Sequence, residues 1–322
     1  MHKYGKRSRG SRLVLLVVAA GMIAAAGCEK RREESVGLLE ARKGFETKII
    51  GGDFQPAGPA DRPPGSLFKL VRYKSNVGAL AAYVTPDPGD GVRRPAVIWA
   101  HGGFGGVGSW LWQRASADND QSVRAFLGGD IVTMCPSWRG ENDNPGQFEL
   151  FYGEVNDLLG ALKYLKSLPY VDPDRIYLAG HSTGGTMALL GSVASSEFRA
   201  VFSFGGAPDI YAVVSNGGGY GNTPFDHRVK DESHYRSAIV FTSQITSPTF
   251  YFEGADSGYC PDAIEMQSLA EKHNVPFKAF VIRNGTHFNI LRPLMRMIAA
   301  KIKADTGAKC NITISERDVR LR

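Results

Sequence analysis

A serine flanked by glycines stands between a predicted strand and a predicted helix. Gly180-His181-Ser182-Thr183-Gly184 follows the apolar run RIYLAG and leads into small residues. In such a strand-to-helix turn the backbone is strained and only very small neighbours fit, while the helix N-terminus faces developing negative charge. A tight packing turn or a phosphate-binding turn is the alternative, but no Lys-Ser/Thr follows as in a P-loop. The pattern predicts that Ser182 is a nucleophile.

A serine nucleophile needs a base, which comes last in chain order in this kind of turn architecture. His287, in RNGTHFNI, follows the last predicted strand in a glycine-containing loop just before a helix. His101 and His181 precede Ser182, and His273 lies in the middle of a predicted helix. The position therefore favours His287 as the base over the other histidines.

A second glycine-rich stretch, WAHGGFGGVGSW, has two interpretations. Residues 103–108 match G-x-G-x-x-G after the strand-like run AVIWA, which is the outline of a dinucleotide-phosphate loop. Read from His101, the same stretch is His-Gly-Gly-Phe, a turn that supplies backbone amides to an oxyanion. The loop alone leaves both interpretations open.

The elements that must position these residues alternate between strands and helices. Apolar runs predict strands, and apolar residues at helical spacing predict helices. The predicted strands are 67–73, 78–86, 96–100, 130–136, 175–180, 200–205, 249–254 and 277–282, and the predicted helices are 153–167, 184–192, 262–272 and 290–303. This alternation predicts an α/β fold with a mostly parallel sheet covered on both faces, whose sites lie at the carboxyl ends of its strands.

The N-terminal segment is predicted to be a targeting signal rather than part of the fold. Residues 1–28 combine a basic start, an apolar run and a small-residue ending, Ala-Ala-Gly-Cys, which resembles a bacterial lipobox. We expect lipidation at Cys28, with an ordinary signal peptide as the alternative. Residues 29–65 are rich in charge, Pro and Gly and are predicted to be a flexible tether, and residues 66–322 are predicted to form the catalytic domain.

Charge and cysteine content exclude several classes of protein. The net charge of +6 falls to about +1 without the signal, because residues 1–28 carry five of the 38 Lys and Arg and none of the 32 Asp and Glu. We therefore expect no nucleic-acid partner. Beyond Cys28 only Cys135, Cys260 and Cys310 remain, and no C-x-x-C is present. We expect no metal site, and one disulfide is possible among the three with no basis for choosing the pair.

The chain resembles the α/β-hydrolase superfamily. Within it, the sequence is similar to the catalytic domain of the prolyl oligopeptidase family, with dienelactone-hydrolase-like esterases as neighbours. The stretches that carry the resemblance are PAVIWAHGGFGG, PSWRGENDNPG, YVDPDRIYLAGHSTGG, SPTFYFEGADSG and GTHF, in that order. The resemblance implies an α/β-hydrolase fold and a mechanism without a cofactor. It also favours the oxyanion interpretation of the glycine loop, with amide donors from Thr183 and from Gly103 or Phe104.

The resemblance leaves the roles of two polar residues in the neighbouring loops open. Some oligopeptidases have a tyrosine hydroxyl donor near the position of His101, so this histidine either donates to the oxyanion or braces the loop. Arg139, in PSWRG, is similar to the family's Arg-Gly turn. A structural salt bridge is favoured for it over contact with a substrate carboxylate.

The acid of the triad is expected between the strand TFYFEG and His287. In the family this strand commonly ends in His-Gly-x-x-Asp, whereas here the aspartate stands one residue early, at Asp256. Glu253 takes the family's histidine position, and Asp262 is expected to cap the next helix. We predict that Asp256 orients His287, with Glu253 as the second choice and Asp262 as the third.

The sequence thus predicts a serine hydrolase that cleaves small esters or short peptides through an acyl-enzyme. Family peptidases carry a β-propeller ahead of this domain, and only the predicted tether precedes it here, so small substrates are expected. Export across a bacterial inner membrane and a lipid anchor facing the periplasm or cell surface follow from the signal. A non-catalytic binding protein on a hydrolase scaffold and a dinucleotide-dependent oxidoreductase are the alternatives. The oligomeric state stays open.

Overall fold

The computed structural model describes residues 36–51, 54, 58–217 and 223–321. The predicted signal segment, including Cys28, lies outside the described residues. Within the described part, the strands are β1 Lys69–Ser75, β2 Gly78–Val84, β3 Arg94–Ala100, β4 Val132–Pro136, β5 Val171–His181, β6 Val201–Phe204, β7 Thr249–Gly254 and β8 Phe277–Ile282. The α-helices there are α1 Leu38–Ala41, α2 Glu154–Lys166, α3 Thr183–Ala194, α4 Ile210–Ser215, α5 Lys230–His234, α6 Cys260–His273 and α7 Leu291–Ala304.

In the described residues the strands form one eight-stranded sheet in the order β1-β2-β4-β3-β5-β6-β7-β8. Pairing is antiparallel from β1 to β2 and from β2 to β4, and parallel from β4 through to β8. Parallel pairing brings the carboxyl ends of β3, β5, β6 and β7 to one edge. The sheet is that of an α/β-hydrolase fold, as the sequence predicts.

Both faces of the sheet are covered by apolar side chains. On β3, Ile98 belongs to the cluster that includes α2, α3 and α6, whereas Trp99 belongs to the cluster that includes α7. Successive strand residues point to opposite faces, so a continuous apolar run is what two covered faces require. The runs AVIWA and IYLAG are buried for this reason.

Residues 37–49 pack against this domain, which corrects the expectation of a flexible tether for that part of 29–65. Leu38 is fully buried in the apolar cluster, and the Arg42 guanidinium donates to the carbonyl oxygen of Tyr152 at 2.8 Å. Thr47 donates to Glu232, and Ile49 forms a β-bridge with Phe225. The prediction rested on the proline and charge content of the segment. Composition does not reveal that one leucine is buried or that one arginine donates hydrogen bonds to backbone carbonyls.

Among the described residues, every helix is too short or too polar to traverse a bilayer. In the same part of the chain, no group of three or more His, Cys, Asp and Glu side chains is placed to hold a metal. Cys135 and Cys260 are buried thiols and Cys310 is half-buried, and no disulfide joins any of them within the described residues.

Candidate active site

Ser182 occupies a strained turn between β5 and α3. Its φ of 56° and ψ of −118° lie where a residue with a Cβ rarely sits, which costs about 1–3 kcal/mol. The Ser182 amide donates to the carbonyl oxygen of Phe204 at 2.8 Å and holds the turn against the end of β6. A Cβ on Gly184 would collide with the carbonyl oxygen of Ala100, which is why the turn needs a glycine there. The structure therefore places Ser182 in the predicted nucleophile position, half-buried and at the sheet edge.

His287 lies in the loop between β8 and α7, and its ring Nδ1 is 2.9 Å from Oε2 of Glu253. A carboxylate can only accept, so Nδ1–H donates and the neutral ring leaves Nε2 as an acceptor. That tautomer is the one a general base needs to take a proton from a serine hydroxyl. The side chain of His287 is 21% exposed, whereas that of Glu253 is fully buried.

Glu253, and not Asp256, is therefore the carboxylate that contacts His287, so the predicted contact with Asp256 is wrong. Glu253 is the penultimate residue of β7, and its other oxygen accepts from the amide of Gly254 at 2.7 Å. Asp256 lies beyond the strand in an exposed turn. Asp262, expected to cap α6, lies in the first turn of that helix, whose N-cap is Tyr259. The end of a buried strand is fixed by sheet pairing, so it holds a carboxylate more firmly than the following turn.

Gly205 provides the surface against which the acid and base pack. It has a φ of +61°, and a Cβ there would lie 2.5 Å from Cε1 and 2.6 Å from Nδ1 of His287, with Oε2 of Glu253 closer still. Gly205 directly follows Phe204, whose carbonyl oxygen holds the amide of Ser182. The end of β6 thus links the nucleophile turn to the histidine–carboxylate pair.

His181 connects the nucleophile turn to the base from the other side. Its Nε2 is 3.1 Å from the carbonyl oxygen of His287, so Nε2–H donates, and the two rings lie 4.6 Å apart. Burial, followed by the nearby charge of His287, lowers the pKa of His181 to about 3. His181 therefore stays neutral at physiological pH and acts as a positioning residue for the His287 loop.

The glycine loop after β3 is held beside the nucleophile turn, where the oxyanion interpretation predicts it. The Thr183 hydroxyl donates to the carbonyl oxygen of Gly103 at 2.9 Å. Thr183 is the first residue of α3, so its amide has no acceptor within the helix and is available to an oxyanion. The structure brings Thr183 and Gly103 together, and Phe104 follows directly in the same loop. Their role as donors stays a prediction.

The same loop does not continue into the helix that a dinucleotide-binding turn requires. Residues 103–108 are followed by a single 3₁₀ turn, Ser109–Leu111. A dinucleotide fingerprint places its glycines at the N-terminus of a full helix that faces the pyrophosphate. The G-x-G-x-x-G match therefore lacks its structural context, and the geometry does not support the oxidoreductase alternative.

His101 braces the loop. The ring is buried, with Nε2 3.0 Å from the buried carboxylate of Glu141 and Nδ1 3.1 Å from the carbonyl oxygen of Gly102. Burial opposes the charged form, but the Glu141 carboxylate outweighs it, and the pKa of His101 is raised above its usual value. Of the two roles left open by the sequence, bracing is the one this geometry supports.

Arg139 makes the structural salt bridge that the sequence favours. Its guanidinium contacts Asp157 through Nε at 3.0 Å and Nη2 at 2.8 Å, and Glu149 at 2.8 Å. Asp157 lies in α2 and is fully buried. Arg139 thus ties the turn after β4 to α2.

Two cavities of different size border the oxyanion loop. A cleft of about 590 Å³ is lined by Gly102, Phe104 and Trp110 among others. A cavity of about 10 Å³ next to Thr183 has room for one water molecule. Its wall includes Glu154, and burial raises the pKa of that carboxyl to about 8. Of these two cavities, only the larger cleft has room for a small substrate. Trp112, close in sequence to Trp110, packs on Phe68 and Tyr83.

Comparison with known proteins agrees with this architecture. Residues 138–290 match the model of the prolyl oligopeptidase family, which confirms the predicted resemblance. The chain is 25% identical over 193 residues to the Uncharacterized peptidase YtmA of Bacillus subtilis, a match that spans 57% of this chain and 71% of that one. The family match supports a serine hydrolase.

Solved structures share the fold at low sequence identity. Acylaminoacyl peptidase of Pyrococcus horikoshii superposes with a TM-score of 0.60 at 16% identity, over 78% of this chain and 44% of that one. An esterase of Pyrobaculum calidifontis superposes with a TM-score of 0.55 at 20% identity, over 75% of this chain and 86% of that one. The chain thus spans under half the length of the peptidase and most of the length of the esterase.

Proposed function

We propose that this protein is a serine hydrolase that cleaves ester or amide bonds of small esters or short peptides through an acyl-enzyme. The observation that carries the proposal is the Glu253–His287 hydrogen bond beside the strained turn of Ser182. A buried carboxylate, a correctly oriented imidazole and a serine at a helix N-terminus are the parts that acyl transfer needs. The family match and the shared fold add support.

The residues divide the reaction into two steps. His287 Nε2 removes the proton from Ser182 Oγ as the oxygen attacks the carbonyl carbon, and the amide of Thr183 with one from Gly103 or Phe104 stabilises the oxyanion. His287 then protonates the leaving group, which departs as an alcohol or amine. In the second step His287 activates water, which releases the acid and regenerates Ser182. Glu253 holds the ring and stabilises its charged form.

Peptide and ester substrates are both retained in the proposal. The Pyrococcus horikoshii peptidase and the Pyrobaculum calidifontis esterase both share this fold. The cleft of about 590 Å³ is large enough for a small substrate of either type. A panel of p-nitrophenyl esters and aminoacyl p-nitroanilides separates them. Wild type should turn over at least one class, and Ser182→Ala should lose roughly 10⁶-fold in kcat. Ser268→Ala, which removes an exposed hydroxyl in α6, is the control. Equal turnover in wild type and Ser182→Ala would contradict the proposal.

We further propose that Cys28 carries a lipid that anchors the protein to a bacterial membrane facing the periplasm or cell surface. The Ala-Ala-Gly-Cys ending of the predicted signal supports this, and it lies outside the described residues. When produced in a bacterium, wild type should partition into detergent and Cys28→Ser should stay in the aqueous phase. Wild type found in the aqueous phase with another N-terminus would contradict the anchor.

A further inference from the structure

A second large cavity, of about 450 Å³, adjoins the cleft of about 590 Å³ and has arginine-rich walls. Four arginines line it together with one carboxylate: Arg114, Arg124, Arg292, Arg296 and Asp120. Two of the arginines belong to α7, the helix that follows the His287 loop. No other cavity described above has walls with this concentration of like charge.

Only one of these arginines is paired with a carboxylate. Asp120 accepts from Nε of Arg292 at 2.7 Å and from the Ser122 hydroxyl at 2.6 Å. Burial opposes the charged form of Asp120, but these hydrogen bonds outweigh it and lower the pKa of its carboxyl. Within the described ranges, Arg114, Arg124 and Arg296 have no carboxylate partner. The cavity therefore carries an excess of about three positive charges.

The cavity is the immediate neighbour of the cleft at the oxyanion loop. Ala115 and Ser122 line both the 450 Å³ cavity and the 590 Å³ cleft. Nη2 of Arg292 donates to the carbonyl oxygen of Ala115 at 2.6 Å, which fixes the shared wall to α7. The arginines therefore lie next to the cleft that borders the oxyanion loop.

We propose that the arginines of this cavity bind a carboxylate on the part of the substrate remote from the bond that is cleaved. The inference rests on the proposed function and names the class of substrate: short peptides or esters with a carboxylate at one end. A guanidinium fork matches a carboxylate in planar geometry, and the excess positive charge attracts an anionic group. Arg292, already paired with Asp120, positions the wall, and the arginines without a carboxylate partner contact the ligand.

The test uses pairs of substrates that differ only in one charge. In one arm, short peptides with a free C-terminal carboxylate are compared with their C-terminal amides. In the other arm, p-nitrophenyl hemiesters of dicarboxylic acids of increasing length are compared with their ω-methyl esters. At least one arm should show the anionic member favoured in kcat/KM, and Arg296→Gln should lower that preference by about tenfold. The preference should also shrink as salt is added.

Arg93→Gln is the matched control, since Arg93 is an exposed arginine in the turn before β3. It should keep the preference of wild type. Equal kcat/KM for anionic and neutral members in both arms, with Ser182-dependent turnover, would overturn the carboxylate site and leave the proposed function intact. If no substrate is cleaved, the proposed function fails, and calorimetric titration with suberate measures the cavity separately. Binding that is lost in Arg296→Gln but kept in Arg93→Gln supports the site, and no binding to wild type contradicts it.

Discussion

Oε2 of Glu253 lies 2.9 Å from Nδ1 of His287 and accepts its proton, although Asp256 stands closer to the position where the related sequences place their acid. The two carboxylates are three residues apart, Glu253 at the end of β7 and Asp256 in the turn after it, so replacing each by its amide separates their roles. Glu253→Gln should lower kcat by about 10⁴, because the amide no longer fixes the imidazole tautomer. Asp256→Asn should stay near wild type, because this side chain is exposed. The steady-state rate on a p-nitrophenyl ester measures both.

The opposite ranking, with Asp256→Asn inactive and Glu253→Gln near wild type, would show that Asp256, and not Glu253, is the acid of the triad. Circular dichroism of each variant shows whether a loss of rate reflects a loss of fold. Since Glu253 is fully buried, its amide also tests whether the pair contributes to stability.

The Gly205 backbone is expected to tolerate no side chain. A Cβ at Gly205 would lie 2.5 Å from His287 Cε1, so Gly205→Ala should displace the imidazole and lower kcat by about 10²-fold or more, the scale expected for about 1 Å of misplacement. Gly89→Ala is the control, because Gly89 has a comparable φ of +77° but open space around it. An alanine is strained at both positions because φ is positive, but only Gly205→Ala should lose turnover. Equal kcat in the two variants would show that the contact is unimportant.

The stability of the protein should fall in acid partly because of His181. Unfolded His181 takes up a proton below about pH 6.5, whereas the folded side chain, with a pKa of about 3, does not. The unfolded state therefore binds more protons, and the free energy of unfolding decreases as pH falls from about 6.5 towards 3. Between pH 7 and 4.5 this site should contribute roughly 2.5 kcal/mol to the decrease.

Urea unfolding at both pH values checks this. His181→Gln keeps a donor for the carbonyl oxygen of His287 and should show a smaller drop between the two pH values than wild type. His273→Gln, an exposed histidine in α6, should drop as wild type does. An identical drop in wild type and His181→Gln would contradict the buried neutral histidine.

The docking of residues 37–49 should be visible as stability. Leu38 is 0% exposed and its neighbour Leu39 is 39% exposed, so the two form a matched pair. Leu38→Ala should cost about 2–5 kcal/mol, as truncation of a buried leucine does, and Leu39→Ala should cost about 0.5 kcal/mol or less. Thermal or urea unfolding measures both. Equal small losses would mean that this segment contributes nothing to the fold.

Most of the fold could be predicted because parallel strands that are covered by helices on both faces of the sheet appear in the sequence as continuous apolar runs. The strands AVIWA and TFYFEG illustrate this. The nucleophile turn was predicted from the G-x-S-x-G pattern between a strand and a helix, and His287 from its position after the last strand. The acid could not be chosen by counting along the turn after β7, because the partner of His287 depends on which side chain the sheet holds towards it. One signal was present: Glu253 is a carboxylate at the end of an otherwise apolar strand, and a buried charge needs a partner.

The central claim is that Ser182 is a nucleophile activated by the His287–Glu253 pair. Intact-protein mass spectrometry after treatment with a fluorophosphonate, followed by peptide mapping, tests it most directly. Wild type should gain one phosphonyl group on Ser182, Ser182→Ala should gain none, and Glu253→Gln should react far more slowly than Asp256→Asn. Labelling of another residue, or equal labelling of wild type and Ser182→Ala, would contradict the account.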